Sequence, residues 1–351
     1  MRAKEKKIQL PDCRGFIALC RSGFERELAK ELARFPLGTV EAKEGQGFVV
    51  LVSGQLKLLT WEQAPNWQTL IFARQVWPWF ARLEGLPDHD RLSPILATLE
   101  ERWAKRYRTI ELESPDSETG RPLAKLCRSF AKPLTEALTA RGYLAEDALL
   151  ELRLLFTTSS SVWLGEVPCG FACPWPGGIV RLKFPKQAPS RSVLKLVEAC
   201  KVLLNEEERV RFLKPGMTAV DLGAAPGGWS WQLANWGLRV TAVDRARLAA
   251  AVLATGLVEH VVADGFKWRP PKPVDWLLVD MIERPQQVTE LVRKWLVRRW
   301  CHHVLVNFKL PMKRRLETVE TATSQLRQVA SVVRVKHLYH DREEVTVYAR
   351  V

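Results

Sequence analysis

The sequence predicts an α/β protein. Its C-terminal half reads as an open, mostly parallel sheet with helices on both faces, and an α+β region precedes it. Three observations carry this. First, five apolar runs each end in a charge. They are Met217-Thr-Ala-Val220 before Asp221, Val240-Thr-Ala-Val243 before Asp244, His260-Val-Val-Ala263 before Asp264, Trp276-Leu-Leu-Val279 before Asp280 and His303-Val-Leu-Val-Asn-Phe308 before Lys309. Unbroken apolar runs suit parallel strands buried on both faces. Second, Asp221-Leu-Gly-Ala-Ala-Pro-Gly-Gly-Trp229 leads into Ser230-Trp-Gln-Leu-Ala234, a glycine turn between a strand and a helix. Third, the 24 residues 166–189 hold five prolines and three glycines, too many for a helix or an inner strand. The chain therefore divides into residues 1–165, a linker over 166–189, and residues 190–351.

The elements follow in order. Gly15-Phe-Ile-Ala-Leu-Cys20 reads as a strand, Arg21-Ser-Gly23 as a turn, and residues 24–35 as a helix with apolar residues at helical spacing. Phe48-Val-Val-Leu-Val52 is the next strand. A second unit has a helix over 92–106, a strand over 107–113, a helix over 121–141 and strands near 149–157 and 161–165. Its loop at 114–120 is rich in Ser, Pro, Asp and Gly. Past the linker a helix is expected over 193–204, and Glu344 begins the last strand.

A chain of 351 residues, 47% of them hydrophobic, has ample material for two or three packed domains. No apolar run approaches the roughly twenty residues of a membrane span. Met1-Arg-Ala-Lys-Glu-Lys-Lys7 lacks the apolar stretch of a secretory signal. The seven cysteines are dispersed and odd in number. Cys169 and Cys173 are a close pair, but no second pair or His cluster completes a tetrahedral set, so no metal is expected. A cytoplasmic monomer with no obligate protein partner is the expectation. The net charge of +14 suggests an acidic partner. Residues 189–351 carry 26 Lys and Arg against 17 Asp and Glu, whereas residues 1–188 carry 27 against 22. The more basic part is the one with the glycine turn, which fits a phosphate backbone. A solvated basic surface explains the charge alone equally well. Arg102, Lys105, Arg106 and Arg108 are candidate phosphate contacts with the same plain alternative.

The glycine turn bears on the cofactor. Three glycines let the backbone approach a ligand that a Cβ would block, and the helix beyond offers unpaired N–H groups. A dinucleotide fingerprint needs Gly-x-Gly-x-x-Gly. Here the order is Gly223-x-x-x-Gly227-Gly228, with Pro226 inside the turn. Asp221 is wrong for a phosphate and right for the ammonium and sulfonium charges of S-adenosylmethionine. Ligands of open α/β sheets bind at the carboxyl ends of the strands. Asp244, 23 residues after Asp221, is placed for the cofactor's ribose hydroxyls, and Asp264 for its adenine amino group. Pro226, Gly227 and Gly228 line the methionine end. Ser192 either reaches the cofactor carboxylate or caps the helix that follows it.

The nonapeptide at 221–229 resembles motif I of the methyltransferases that act on RNA ribose 2′-hydroxyls. The resemblance implies a Rossmann-like class I methyltransferase domain with S-adenosyl-L-methionine as the donor. Gly223, Ala225, Trp229 and Asp280 then join the cofactor-lining set.

Methylating a hydroxyl requires its proton to be removed or polarised while the group is held in line. Lysine can do this if a second lysine or partial burial lowers its pKa. Lys309 ends one strand, Asp280 closes its neighbour, Lys195 lies on the helix expected over 193–204, and Glu344 opens the last strand. Singly each has a plain alternative: Lys195 pairs with Glu198 at i+3, and Glu344 sits on a strand surface. Within Ser190-Arg-Ser-Val-Leu-Lys-Leu196, Val279-Asp-Met281, Asn307-Phe-Lys-Leu310 and Arg342-Glu-Glu-Val345, the four resemble the Lys-Asp-Lys-Glu tetrad of FtsJ-like ribose methyltransferases. That implies Lys309 as base, oriented by Asp280. Lys195 would lower its pKa and help hold the ribose. Glu344, rather than Glu343, would position Lys195 or the hydroxyl. Lys313, Arg314 and Arg315 follow as candidate phosphate contacts.

The N-terminal β-α-β order, with Ala18-Leu-Cys-Arg-Ser-Gly-Phe-Glu25, looks like a THUMP-type RNA-binding region with a ferredoxin-like forerunner. Arg181-Leu-Lys-Phe-Pro185, Ala188-Pro-Ser-Arg-Ser192 and Leu338-Tyr-His-Asp-Arg-Glu-Glu-Val-Thr-Val347 resemble a bacterial branch of the FtsJ-like family that acts on large-subunit ribosomal RNA. That resemblance, strongest over 180–350, implies 2′-O-methylation of one cytidine in 23S rRNA. Two rivals remain: a catalytically silent RNA-binding protein that keeps the fold, and an RNA base methyltransferase. Base enzymes usually carry Asn/Asp-Pro-Pro-Tyr/Phe or a nucleophilic Cys after the fourth strand. Here the chain reads Asp280-Met-Ile-Glu283, which favours ribose.

Overall fold

The computed structural model describes residues 13–56, 63–102 and 106–351. The basic stretch at 1–7, Lys105 and part of the helix expected over 92–106 lie outside them. The chain forms two units, Met1–Ile179 and Val180–Val351.

The first unit runs β1 (Cys13–Leu19), α1 (Glu25–Leu32), β2 (Thr39–Ala42), β3 (Phe48–Leu56), β4 (Gln75–Leu83), α2 (Leu92–Glu100), β5 (Tyr107–Glu113), α3 (Leu123–Ala140), β6 (Leu150–Thr158) and β7 (Ser161–Pro168). The sheet order is β2-β3-β1-β4-β7-β6-β5, with β5 and β6 parallel and the other neighbours antiparallel. The sequence reading missed β2 and β4. β4 contains Pro78 yet sits inside the sheet, where proline normally breaks the ladder. Its register against β7 shifts between Trp79 and Ala81, and Gly165 on β7 leaves room for the Pro78 carbonyl, which a Cβ there would overlap.

β7 also runs three residues into the stretch expected to be irregular. Glu166 and Val167 pair with β6 beyond the point where the ladder to β4 ends at Gly165. The buried Glu166 carboxylate accepts from Tyr107 Oη at 2.6 Å and Arg102 Nη2 at 2.8 Å. Arg102 also lies over the Phe80 ring. The expectation of Arg102 as a phosphate contact is therefore corrected: its charge is spent on a carboxylate buried inside the unit. Arg106 and Arg108 stay exposed, beside Asp147 and the Glu146 carbonyl.

The second unit runs α4 (Ser192–Leu203), α5 (Glu206–Phe212), β8 (Thr218–Leu222), α6 (Gly228–Asn235), β9 (Arg239–Val243), α7 (Ala250–Leu253), β10 (Val258–Val261), β11 (Val274–Val279), α8 (Pro285–Val297), β12 (Cys301–Lys309), α9 (Arg315–Arg327), β13 (Val332–Lys336) and β14 (Glu344–Arg350). The order is β10-β9-β8-β11-β12-β14-β13. The first five strands are parallel, and β14 runs antiparallel to both neighbours. This is the mostly parallel α/β sheet expected. The chain reverses its winding direction between β8 and β11, the place where such sheets open a ligand crevice. Trp229, Leu233, Trp276, Leu305 and Tyr348 fill the core beneath it.

Two boundaries differ from expectation. β8 continues through Asp221 to Leu222, and β10 ends at Val261, leaving Asp264 in the following turn. β13 went unseen because its half-buried Val-Val-Arg-Val-Lys pattern lies at the sheet edge. Among the described residues no helix is long and apolar enough to cross a membrane, and no cluster of His, Cys, Asp or Glu is arranged to hold a metal.

Candidate active site

The crevice begins with a buried acid. Asp221 pairs in register with Leu278 of β11 and is almost fully buried. Ser230, in the first turn of α6, donates to its Oδ2 at 2.7 Å. Burial pushes the Asp221 carboxyl up to about 7, with Asp280 and Asp244 adding to the rise and Ser230 opposing it. A carboxylate so placed gains most from a nearby cation.

The turn after β8 packs closely. Gly227 has φ +105°, and a Cβ on it would come within 2.6 Å of Val252 Cγ2. A Cβ on Gly228 would overlap the hydroxyls of Ser190 and Ser192. These hydroxyls bond each other at 2.7 Å. Ser192 is the first residue of α4, and its N-cap, Arg191, makes no side-chain cap bond. Helix capping is therefore not the role of Ser192, whose hydroxyl lies against the turn. Trp229 turns its indole into the core and donates to the Ser192 carbonyl at 2.9 Å.

The next two acids hold the turns around them. Asp244 accepts from the Ala225 N–H at 2.9 Å and the Ala246 N–H at 2.8 Å. Asp264 accepts from the Phe266 N–H at 3.0 Å and from Arg245 Nη2 at 2.8 Å. Arg245 was not foreseen, and nothing in its sequence position marks it. Both carboxylates keep lone pairs for a further donor.

The remaining charges meet at the other side of the turn. Lys309 ends β12 and faces Glu344, the first residue of β14, in the antiparallel register. Lys309 Nζ donates to Asp280 Oδ1 at 2.7 Å and to Glu344 Oε2. Lys195, from α4, donates to Glu344 Oε1 and stands 3.8 Å from Asp280 Oδ2. Two lysines and two carboxylates thus alternate in one cluster, with Glu344 buried. The alternative for Lys195 fails, because Glu198 is taken by the backbone N–H groups of Tyr339 and His340 and by the His340 ring. Glu343 leaves the cluster and pairs with Arg315 at 2.6 Å.

One expectation is corrected here. Lys309 was expected to have a lowered pKa beside Lys195. Burial does pull it down, but Asp280 and Glu344 more than offset this and raise it above its ordinary value. Two carboxylates in direct contact outweigh one neighbouring lysine.

Three family models match the chain. They are the RlmM ferredoxin-like domain over residues 14–77, the N-terminal model of ribosomal RNA large subunit methyltransferase M over 90–166, and FtsJ-like methyltransferase over 188–297. Curated relatives carry the name ribosomal RNA large subunit methyltransferase M. That of Aromatoleum aromaticum is 46% identical over 95% of this chain and 94% of its own length. That of Thauera aminoaromatica is 43% identical over 96% of each, and that of Xylella fastidiosa 44% identical over 95% of this chain and 98% of its own. The chain belongs to the ribosomal RNA large subunit methyltransferase M family. The FtsJ-like match ends at residue 297, before Lys309 and Glu344, which the β12–β14 register sets opposite each other and the Lys309–Asp280 hydrogen bond ties to the matched part.

Behind the cluster lies a part the sequence reading missed. Asp341 is fully buried, accepts from the Leu338 N–H at 3.1 Å and bonds Thr346 Oγ1 at 2.9 Å. Thr346 Oγ1 also bonds Asn307 Oδ1 at 2.7 Å. This ties the loop before β14 to β12 two residues from both Lys309 and Glu344. Burial pushes the Asp341 carboxyl well up.

Chemically, the crevice offers an acidic lining suited to a cation, with a lysine-carboxylate cluster beside it. The acceptors of Asp221, Asp244 and Asp264 and the close-packed glycine turn fit S-adenosylmethionine, whose charged end is cationic and whose ribose and adenine carry donors.

Proposed function

We propose that this chain transfers the methyl group of S-adenosylmethionine to the ribose 2′-hydroxyl of a cytidine in 23S rRNA, working in the cytoplasm as a monomer. The observation that carries the reading is the Lys195–Glu344–Lys309–Asp280 cluster at the strand ends. Ser192, Asp221, Gly223, Ala225, Pro226, Gly227, Gly228, Trp229, Asp244, Asp264 and Asp280 would hold the cofactor, Trp229 through its backbone. When bound, the cofactor supplies an electrophilic methyl group on a positively charged sulfur.

The chain's own residues do the rest. Asp280 and Glu344 hold Lys309 protonated. Positive charge brought to the same strand ends opposes them and lowers its proton affinity. Lys309 then accepts the hydroxyl proton, with Asp280 fixing the ammonium's position. Lys195, anchored by Glu344, holds the ribose oxygen. The N-terminal unit selects the RNA, and an unpaired loop or bulge is the target class most open to such reading.

The test is labelled methyl transfer onto unmodified 23S rRNA, followed by alkaline hydrolysis. A 2′-O-methyl leaves one alkali-resistant position. Cleavage at the labelled nucleotide would instead support base methylation and sink the ribose reading. Lys309→Ala should lower the transfer rate by about 10²–10⁴-fold with cofactor binding retained. No transfer by the wild-type chain would favour the catalytically silent RNA-binding reading, and an unchanged rate in Lys309→Ala would take the role of base away from Lys309.

A further inference from the structure

The loops that leave β11 and β12 continue past Asp280 and Lys309 into helices α8 and α9. Between the two helices lies a cleft of about 480 Å³, lined in part by Gln286, Lys313, Arg314, Glu317 and Gln325. Asp280 is five residues from Pro285, and Lys309 is four from Lys313. An extended chain covers at most about 3.6 Å per residue, so the cleft begins within roughly 18 Å of the tetrad.

Its polar groups are unevenly committed. Arg314 pairs with Glu317, which cancels that acid. Lys313 is exposed and has no ion-pair partner among the described residues, and the amides of Gln286 and Gln325 have no hydrogen-bond partner among them either. An amide both donates and accepts, which suits the edge of a nucleobase. On the loops leading into the two helices, Ile282 before α8 is 90% exposed and Met312 before α9 94% exposed. A single exposed apolar side chain is ordinary on a protein surface; these two follow Asp280 and Lys309 by two and three residues and so stand on the loops that leave the tetrad.

We propose that this cleft seats a nucleotide flanking the methylated one. Lys313 holds its phosphate, Gln286 and Gln325 read its base, and Met312 and Ile282 pack against the unstacked bases at the entrance. The proposal rests on the reading of the tetrad as an RNA ribose site. It adds a sequence-reading subsite to that site.

The test uses the full chain and short single-stranded RNAs matching the methylated region of 23S rRNA, with each base in turn at the two positions beside the target. Affinity is measured by fluorescence anisotropy without turnover, across a salt series. Lys313→Ala should weaken every RNA by about threefold to tenfold and reduce the salt slope by about 0.7, and Lys313→Arg should restore both. Gln286→Ala with Gln325→Ala should reduce the preference between flanking bases by about tenfold. The thermal midpoint and cofactor affinity should stay as in the wild type, because Gln286 and Lys313 lie at the surface.

Unchanged affinity, salt slope and base preference in these variants would overturn the proposal. So would a defect seen on assembled ribosomal particles and not on naked RNA, which would assign the cleft to a protein. Because binding is read without methyl transfer, an alkali-labile product would sink the ribose reading while leaving these affinities to decide the cleft.

Discussion

Asp221 is the residue whose environment most directly sets a measurable property. Its carboxyl stands near 7 in the folded chain, against an ordinary value of 3.8. The folded state therefore binds this proton more tightly than the unfolded state does. The stability linked to it is present below about pH 4 and lost as pH rises through 7. If Asp221 faces the cofactor as proposed, cofactor attraction runs the other way, because only the ionised form draws a cation. Between pH 8 and pH 6 the thermal midpoint should rise, and affinity for S-adenosylmethionine should fall about tenfold, as one unit of protonation implies. Calorimetric titration across that range checks both, and Asp221→Asn should flatten both dependences. A variant that kept the wild-type pH profile would place the titrating group elsewhere. Lys309 shows the opposite behaviour. Its two carboxylate partners keep it charged, which a reading of residue spacing had not foreseen, because spacing does not count direct contacts.

Elements deliver these residues, and the delivery differs from one to the next. The turn between β8 and α6 needs Gly227 for two separate reasons, a positive φ and the nearness of Val252. Gly227→Ala should cost about 1–3 kcal/mol of stability and weaken cofactor binding, as read by denaturant unfolding and calorimetry. Adding Val252→Ala should recover the packing part and leave the backbone part. Full recovery would show that the backbone conformation carries no strain of its own. The inner parallel strands were legible because burial on both faces demands unbroken apolar runs. β4 was not, since Pro78 argues against an inner strand and only the register shift and Gly165 make room for it. β13 was not, since an edge strand is free to alternate.

At the scale of the molecule, charge is the strongest lever. A net charge of +14 predicts RNA binding dominated by phosphate contacts. If roughly four phosphates are engaged, raising salt from about 50 to 200 mM should weaken binding about 50-fold, while cofactor affinity changes little. A flat salt response would show that the basic surface is solvated and carries no strand. The sequence by itself determined the α/β class, the glycine turn and its acid, and the identity of four charged residues. Each of these is a local pattern set by burial, backbone freedom or residue chemistry. Tertiary structure decided that Lys309 and Glu344 stand opposite each other, that Lys195 crosses to Glu344 instead of Glu198, that Arg102 is spent on Glu166, and that Lys309 is held protonated. These depend on strand register and on which charges touch, and contacts between residues as far apart in the chain as 195 and 344 exist only once the sheet has formed.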